Sequence, residues 1–153
     1  MPQEIERKFL VDAMPETLGA GVRLRQGYLA VDGDVEVRIR VDDKGARLTV
    51  KAGAGLSRTE VELPLPDEAA EDLWSHTEGR RVEKVRHRQT LEGGFVAEVD
   101  VYEGDLDGLL TVEVEFPGEA EAAAFQPPQW FGSELTGQAG WSNAALAAHG
   151  RPR

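Results

Sequence analysis

The sequence predicts a mainly antiparallel β-protein, either a closed barrel or a two-sheet sandwich, with a few short helices. Apolar and charged residues alternate with a period of two in short runs, which is typical of strands with one apolar face. Gly, Asp and Pro residues separate the runs, as expected for tight turns. About eight antiparallel strands in so short a chain favour a barrel or a sandwich.

The strands follow one another from the N-terminus in two groups. The first group is predicted at residues 5–11, 22–31, 35–41, 46–51 and 59–63. The second group is predicted at residues 82–91, 95–102 and 109–116. The turn sequences Asp32-Gly33-Asp34, Asp42-Asp43-Lys44-Gly45 and Glu92-Gly93-Gly94 predict hairpins, so the strands that they join should pair antiparallel.

Three helices interrupt this pattern. Residues 68–75 should form a helix with Asp67 as its N-cap, because Pro66 and Asp67 are typical of a helix start. Residues 119–125 and 143–149 should form two more. We therefore expect a single domain over residues 1–150 and a frayed tail at residues 151–153.

Composition narrows the classes of partner. The sequence has 17 Lys and Arg against 28 Asp and Glu, a formal net charge of −11, so its overall field repels nucleic acid and anionic membranes. A bound anion must therefore meet locally clustered cations. With no cysteine, signal peptide or long apolar run in the sequence, a cytoplasmic location is expected.

Charged residues share one face of nearly every predicted strand, because residues i and i+2 project to the same side. If these faces point inward, they bring together cations and acids, which suits a polyphosphate bridged to a divalent metal ion. If they point to solvent, the apolar faces form the core of a sandwich, and the residues alone leave both interpretations open. The inward set would be Lys8, Arg38, Arg40, Lys51, Lys84 and Arg86 with Glu4, Glu6, Glu60, Glu62, Glu98, Asp100, Glu113 and Glu115.

The order of these charged motifs resembles the CYTH domain of the triphosphate tunnel metalloenzymes. The resemblance covers almost the whole chain and implies an eight-stranded tunnel barrel that acts on triphosphate compounds with Mg²⁺ or Mn²⁺. The motifs are Glu4-Ile5-Glu6-Arg7-Lys8-Phe9, Gln26-Gly27-Tyr28-Leu29, Arg38-Ile39-Arg40, Leu48-Thr49-Val50-Lys51, Glu60-Val61-Glu62, Glu83-Lys84-Val85-Arg86, Glu98-Val99-Asp100 and Glu113-Val114-Glu115-Phe116.

The resemblance also implies roles for individual residues. Tyr28 and Lys84 would position and activate water, as in short bacterial members that hydrolyse tripolyphosphate, and Lys8 would join them as a catalytic residue. The phosphates would be bound by Lys8, Arg38, Arg40, Lys51, Lys84 and Arg86. The metal ligands would come from Glu4, Glu6, Glu60, Glu62, Asp100, Glu113 and Glu115.

The predicted activity is hydrolysis of inorganic triphosphate. The expected partner is a small-molecule polyphosphate substrate, and the sequence also allows a homodimer. Because the family also includes adenylyl cyclases, thiamine triphosphatases and nucleoside triphosphatases, the fold does not fix the reaction. A noncatalytic polyphosphate-binding module is the alternative from another class. Near the C-terminus Gln138, Gly140 and Trp141 replace the family's usual Asp, Arg and Tyr, so we expect a changed anchor for the last helix.

Overall fold

The computed structural model describes residues 3–153, which form nine strands and three short α-helices. In chain order these are β1 (Gln3–Val11), β2 (Gly21–Asp32), β3 (Val35–Asp42), β4 (Gly45–Ala52), β5 (Ser57–Leu65), α1 (Asp67–Trp74), β6 (Arg81–Thr90), β7 (Val96–Tyr102), β8 (Leu110–Glu115), α2 (Glu119–Ala124), β9 (Phe131–Glu134) and α3 (Asn143–His149).

The first eight strands close into an antiparallel barrel. The strand order is β5-β4-β3-β2-β6-β7-β8-β1, and β1 also pairs with β5, as in the pair Gln3 and Thr59. This closure confirms the eight-stranded barrel, and the sandwich alternative is wrong.

A ninth strand was missed by the sequence prediction. β5 pairs only with residues 3–5 of β1. The later residues of β1 therefore have no partner in β5 along the edge that faces it. β9 fills this part of the edge by pairing opposite Phe9 and Val11. A strand of four residues is too short for an alternation of apolar and polar residues to be recognised in the sequence.

The main hydrophobic core lies outside the barrel wall. The outward-facing side chains of β1, β7 and β8 pack with α2 and β9, and the core residues are Phe9, Ala97, Val99, Val112, Val114, Phe116, Ala122 and Phe131. A second cluster places Leu146 of α3 against Val82 and Tyr102, which point into the barrel. The apolar faces of β1, β7 and β8 are thus buried against α2 and β9, whereas Val61 and Leu63 of β5 are exposed. The charged faces are left to line the interior.

The helices differ in detail from the prediction. Pro66 is the N-cap of α1 and Asp67 lies in its first turn, so the predicted cap is wrong by one residue. An acid in the first turn still interacts favourably with the helix dipole. α2 ends before Phe125, which is extended. The bounds of α3 are confirmed, and the Ser142 hydroxyl accepts a hydrogen bond from the backbone N–H of Ala145.

No helix within residues 3–153 combines the length and the apolar character needed to cross a membrane.

Candidate active site

The barrel encloses a cavity of about 930 Å³. Most of the site residues predicted from the sequence line it, which brings together positions more than a hundred residues apart in the chain. Lys84 and Asp100 are the two exceptions and lie behind the cavity wall. The predicted residues that line the cavity are Glu4, Glu6, Lys8, Tyr28, Arg38, Arg40, Lys51, Glu60, Glu62, Arg86, Glu113 and Glu115.

Two arginines of β3 face the cavity without an acidic partner; we call Arg38 and Arg40 the unpaired arginines. Neither forms an ion pair with an acid among residues 3–153, and Nε of Arg38 donates no hydrogen bond there. Only 3% of Arg38 is exposed. Burial, with repulsion from Arg38 and Arg86, lowers the pKa of Arg40 to about 10, so the group remains charged at neutral pH.

The cations of β6 are arranged in the opposite way, in an ion-pair network of Lys84, Arg86, Glu98 and Asp100. Nε and Nη2 of Arg86 donate to the two Asp100 oxygens at 2.8 and 2.9 Å. Nζ of Lys84 donates to Asp100 Oδ2 at 2.7 Å. The β6–β7 register explains these contacts because it places Arg86 directly opposite Asp100.

Burial and charge act against each other in this network. Burial opposes ionisation of Asp100, but Arg86 and Lys84 outweigh it and hold the pKa of that carboxyl well below its usual value. Burial also lowers the pKa of Lys84 to about 7, although Asp100 opposes the change. Asp100 is therefore a permanent anion at neutral pH, whereas Lys84 can exchange a proton near pH 7.

This placement concerns the predicted roles of Lys84 and Asp100, which stay predictions. Lys84 and Asp100 are both 0% exposed, and both Asp100 oxygens already accept charged hydrogen bonds. Asp100 is thus held by Arg86 and Lys84, and its role as a metal ligand is not tested by this arrangement. Lys84 is buried and does not line the cavity in this structure, and its role in phosphate binding stays a prediction. The sequence showed which face these residues share but not which partners they take.

Tyr28 and Lys84 are not adjacent either. Tyr28 lies opposite Arg38, whereas Lys84 lies opposite Leu24, four residues earlier on β2. Four residues of strand span about 13 Å. Burial raises the pKa of Tyr28, so its phenol stays protonated at neutral pH and can act as a hydrogen-bond donor.

Acids concentrate on β1 and β8, in an acidic patch of Glu4, Glu6, Glu113 and Glu115. Glu6 lies directly opposite Glu115, and Lys8 opposite Glu113. Burial, Glu113 and Glu4 raise the pKa of Glu6 well above its usual value. Burial opposes ionisation of Glu113 too, but Arg86, Lys8 and Lys84 lower its pKa to about 2.

The remaining predicted acids lie beside the acidic patch. Lys51 Nζ donates to Glu4 Oε1 at 3.3 Å and lies 3.6 Å from Glu60 Oε2, so it links β1 to β5. Glu62 is more exposed and lies 3.7 Å from Arg47. Within residues 3–153, no three acidic or histidine side chains gather closely enough to form a ready-made metal site.

The last helix, α3, is anchored without the ion pair that the resemblance implies for this segment. Nζ of Lys8 donates to the backbone oxygen of Trp141 at 2.8 Å, just before α3. The Tyr102 hydroxyl donates to Asn143 Oδ1 at 2.7 Å. These contacts, with the packing of Leu146, replace the anchor that Gln138 and Gly140 cannot supply.

Further charged residues line the cavity that the sequence analysis did not select. They continue the alternate positions of strands already recognised, so the same period of two could have found them. Arg58, for example, lies two residues before Glu60 and donates to Glu36 Oε2 at 3.1 Å. The additional residues on the strands are Glu36, Arg47, Arg58 and Arg88, and Asp34 lies in the turn before β3.

The amino-acid sequence is similar to a known protein family and to proteins with assigned activities. The CYTH domain model matches residues 2–133. An inorganic triphosphatase of Nitrosomonas europaea is 47% identical over 145 residues, covering 94% of this chain and 96% of that protein. An inorganic triphosphatase of Acetivibrio thermocellus is 42% identical over 150 residues, covering 95% and 94%.

Solved structures of related proteins have the same fold. That of the inorganic triphosphatase NE1496 superposes with a TM-score of 0.75 at 42% identity and covers 99% of each chain. A conserved hypothetical protein from Pyrococcus furiosus has a TM-score of 0.60 at 20% identity, covering 79% of this chain and 83% of that one, which shows a shared fold alone.

Proposed function

The chain belongs to the CYTH domain family, and on that basis we propose that it hydrolyses inorganic triphosphate to pyrophosphate and orthophosphate inside its barrel. The observation that carries the proposal is the pair of unpaired arginines, which line the cavity without an ion pair to an acid among residues 3–153, Arg38 being buried. Such groups favour a polyanionic ligand. The two relatives named above are inorganic triphosphatases and match nearly the whole chain.

The reaction needs little covalent participation from the protein. A water oxygen bonds to a terminal phosphorus, the bond from that phosphorus to the bridging oxygen breaks, and pyrophosphate leaves. Catalysis then comes mainly from positioning the substrate and from neutralising its charge. In this proposal the unpaired arginines and Lys51, which line the cavity, bind phosphate oxygens. Tyr28, which lies opposite Arg38, would donate a hydrogen bond.

The acidic patch fits a divalent ion, which we propose is Mg²⁺ or Mn²⁺. Oε2 of Glu4 is buried and lies 3.1 Å from Nζ of Lys51, without the geometry of a hydrogen bond. Glu6 lies directly opposite Glu115, and a cation between these carboxylates would relieve their repulsion. Mg²⁺ is usually held by one or two carboxylates together with substrate phosphates, so a ready-made cluster of three acids is not required. When bound, such an ion would neutralise phosphate charge; Glu4 and Glu6, with Glu113 or Glu115, would hold it.

The ion-pair network has a supporting role in this proposal. Asp100 fixes the Arg86 guanidinium through two hydrogen bonds, and Lys84 shares the same carboxylate through an ion pair at 2.7 Å. Arg86 alone of the two cations reaches the cavity surface. Arg86 is therefore held rigidly but with its charge largely neutralised.

A substrate panel tests the proposed reaction. Tripolyphosphate, ATP, thiamine triphosphate and pyrophosphate are each supplied with Mg²⁺ and with Mn²⁺, and phosphate release is measured. We expect the highest kcat/KM with tripolyphosphate. Preference for ATP or thiamine triphosphate would favour the other family activities instead, and binding of tripolyphosphate without turnover would favour a noncatalytic module.

The remaining sequence predictions belong to the same proposal. The net charge of −11 argues against nucleic acid and anionic membranes as partners, which leaves the polyphosphate as the ligand. Cell fractionation tests the cytoplasmic location, and light scattering on the purified protein tests for a homodimer.

A further inference from the structure

Gln26 of β2 is a buried amide that the proposed reaction does not use. Its side chain is 0% exposed. Its Oε1 accepts two hydrogen bonds from Arg40, from Nε at 2.9 Å and from Nη2 at 2.7 Å. The β2–β3 register places the two residues directly opposite each other, so the contact is built into the sheet.

The chemistry of this partner distinguishes Arg40 from the other well-held arginine of the cavity. Asp100 holds Arg86 through a similar fork of two hydrogen bonds, but it also cancels the charge of the guanidinium. Gln26 offers a carbonyl oxygen with no net charge. Two of the five N–H donors of the Arg40 guanidinium go to Gln26, and the others remain for a ligand.

A carboxylate at position 26 would hold Arg40 at least as firmly, because charge-assisted hydrogen bonds are the stronger ones. It would also place a negative charge beside the anionic substrate. An amide thus meets two requirements that a carboxylate cannot meet together: it orients the guanidinium and it leaves the positive charge in place.

We propose that Gln26 is a positioning residue that fixes Arg40 in the cavity while leaving its charge available to the triphosphate. The proposal rests on the proposed function, since it assigns Gln26 a part in binding that substrate. Gln26 acts through Arg40, because its own side chain is buried and does not line the cavity.

The decisive variant is Gln26→Glu, which has the same shape and adds one negative charge. Steady-state kinetics on tripolyphosphate at pH 8 should show KM raised about tenfold or more, with a smaller change in kcat and no loss of thermal stability. The matched control is Gln126→Glu, the same change at an exposed residue away from the cavity, which should keep the wild-type KM. An unchanged KM in Gln26→Glu would overturn the proposal, because a merely structural amide tolerates this substitution.

A second variant tests the positioning without relying on activity. Gln26→Met removes the acceptor but keeps a similar length. The protected Nε–H signal of Arg40 in NMR spectra, assigned by its loss in Arg40→Lys, should be present in wild type and in Gln26→Glu but absent in Gln26→Met. Its persistence in Gln26→Met would overturn the positioning role.

The two proposals fail in different ways. A wild-type protein that does not hydrolyse tripolyphosphate would overturn the proposed function, and this inference with it. An active wild type with an unaltered KM in Gln26→Glu would overturn the role of Gln26 alone.

Discussion

The cations of β3 and of β6 line one barrel but have opposite partners. Arg38 and Arg40 on β3 form no ion pair with the described acids, whereas Arg86 and Lys84 on β6 share the carboxylate of Asp100. A buried cation that is already paired contributes to a fixed structure, and one that is unpaired remains available to an anionic ligand. Under the proposed function, β3 binds the substrate while β6 and β7 hold the barrel wall in shape.

The largest effect should come from breaking the ion-pair network. Asp100→Asn removes the charge that balances Lys84 and Arg86, and loss of one member of a buried pair costs about 3–5 kcal/mol. Urea unfolding should show this decrease in the free energy of unfolding. The control is Glu103→Gln, the same kind of change in a surface pair with the mostly exposed Arg23, where about 0–1 kcal/mol is expected. Equal losses in the two variants would contradict the structural role of the network.

Substitution on β3 should lower the activity strongly and the free energy of unfolding only slightly. Arg38→Ala removes a charged donor from the proposed substrate site. The loss of transition-state stabilisation should be about 1.5–3 kcal/mol, measured as the decrease in kcat/KM on tripolyphosphate. Because Arg38 has no acidic partner, the free energy of unfolding should change by less than about 1 kcal/mol. Arg23→Ala, an exposed arginine on β2, is the matched control and should retain activity. Wild-type kinetics in Arg38→Ala would place the substrate elsewhere.

The pairing of Glu113 predicts a pH dependence. Its pKa is about 2 in the folded protein, below its ordinary value of 4.5, because Arg86, Lys8 and Lys84 outweigh burial. The folded state therefore binds fewer protons, so this contribution to stability is present above pH 4.5 and is lost as the pH falls towards 2. Glu113→Gln should be less stable than wild type by on the order of 2 kcal/mol at pH 7 in chelator, and the difference should shrink below pH 4.5. A difference that stays constant with pH would argue against these ion pairs.

The smallest expected effect is the coupling between Tyr28 and Lys84. The resemblance predicts that they act on one water, but the register separates them along β2. The kinetic costs of Tyr28→Phe and Lys84→Met should then add to within about 0.5 kcal/mol in a double-mutant cycle. A double variant that costs clearly less than the sum of the two singles would restore the predicted pair.

The sequence predicts the strands well because a period of two is visible within each run. It cannot choose the barrel on its own, since closure depends on pairing between Gln3 and Thr59, which no local pattern records. The resemblance to the CYTH domain supplies that choice.

The candidate site, like the fold, is predicted only in part from the sequence. Alternation identifies the charged faces, but the partner of each charge depends on strand register. The register of β6 on β7 places Asp100 with Arg86 and Lys84 instead of with the other acids. The sequence analysis includes Gln26 in the motif Gln26-Gly27-Tyr28-Leu29 but assigns it no role, because its contact with Arg40 depends on the register of β2 on β3.

The most direct test of the account follows tripolyphosphate by ³¹P NMR with wild type and Arg38→Ala in Mg²⁺, and with wild type in excess chelator. We expect wild type with Mg²⁺ to form orthophosphate and pyrophosphate in equal amounts, wild type in chelator to form neither, and Arg38→Ala to be severely slowed. Full turnover in chelator, or wild-type turnover by Arg38→Ala, would contradict a metal-assisted reaction at the unpaired arginines.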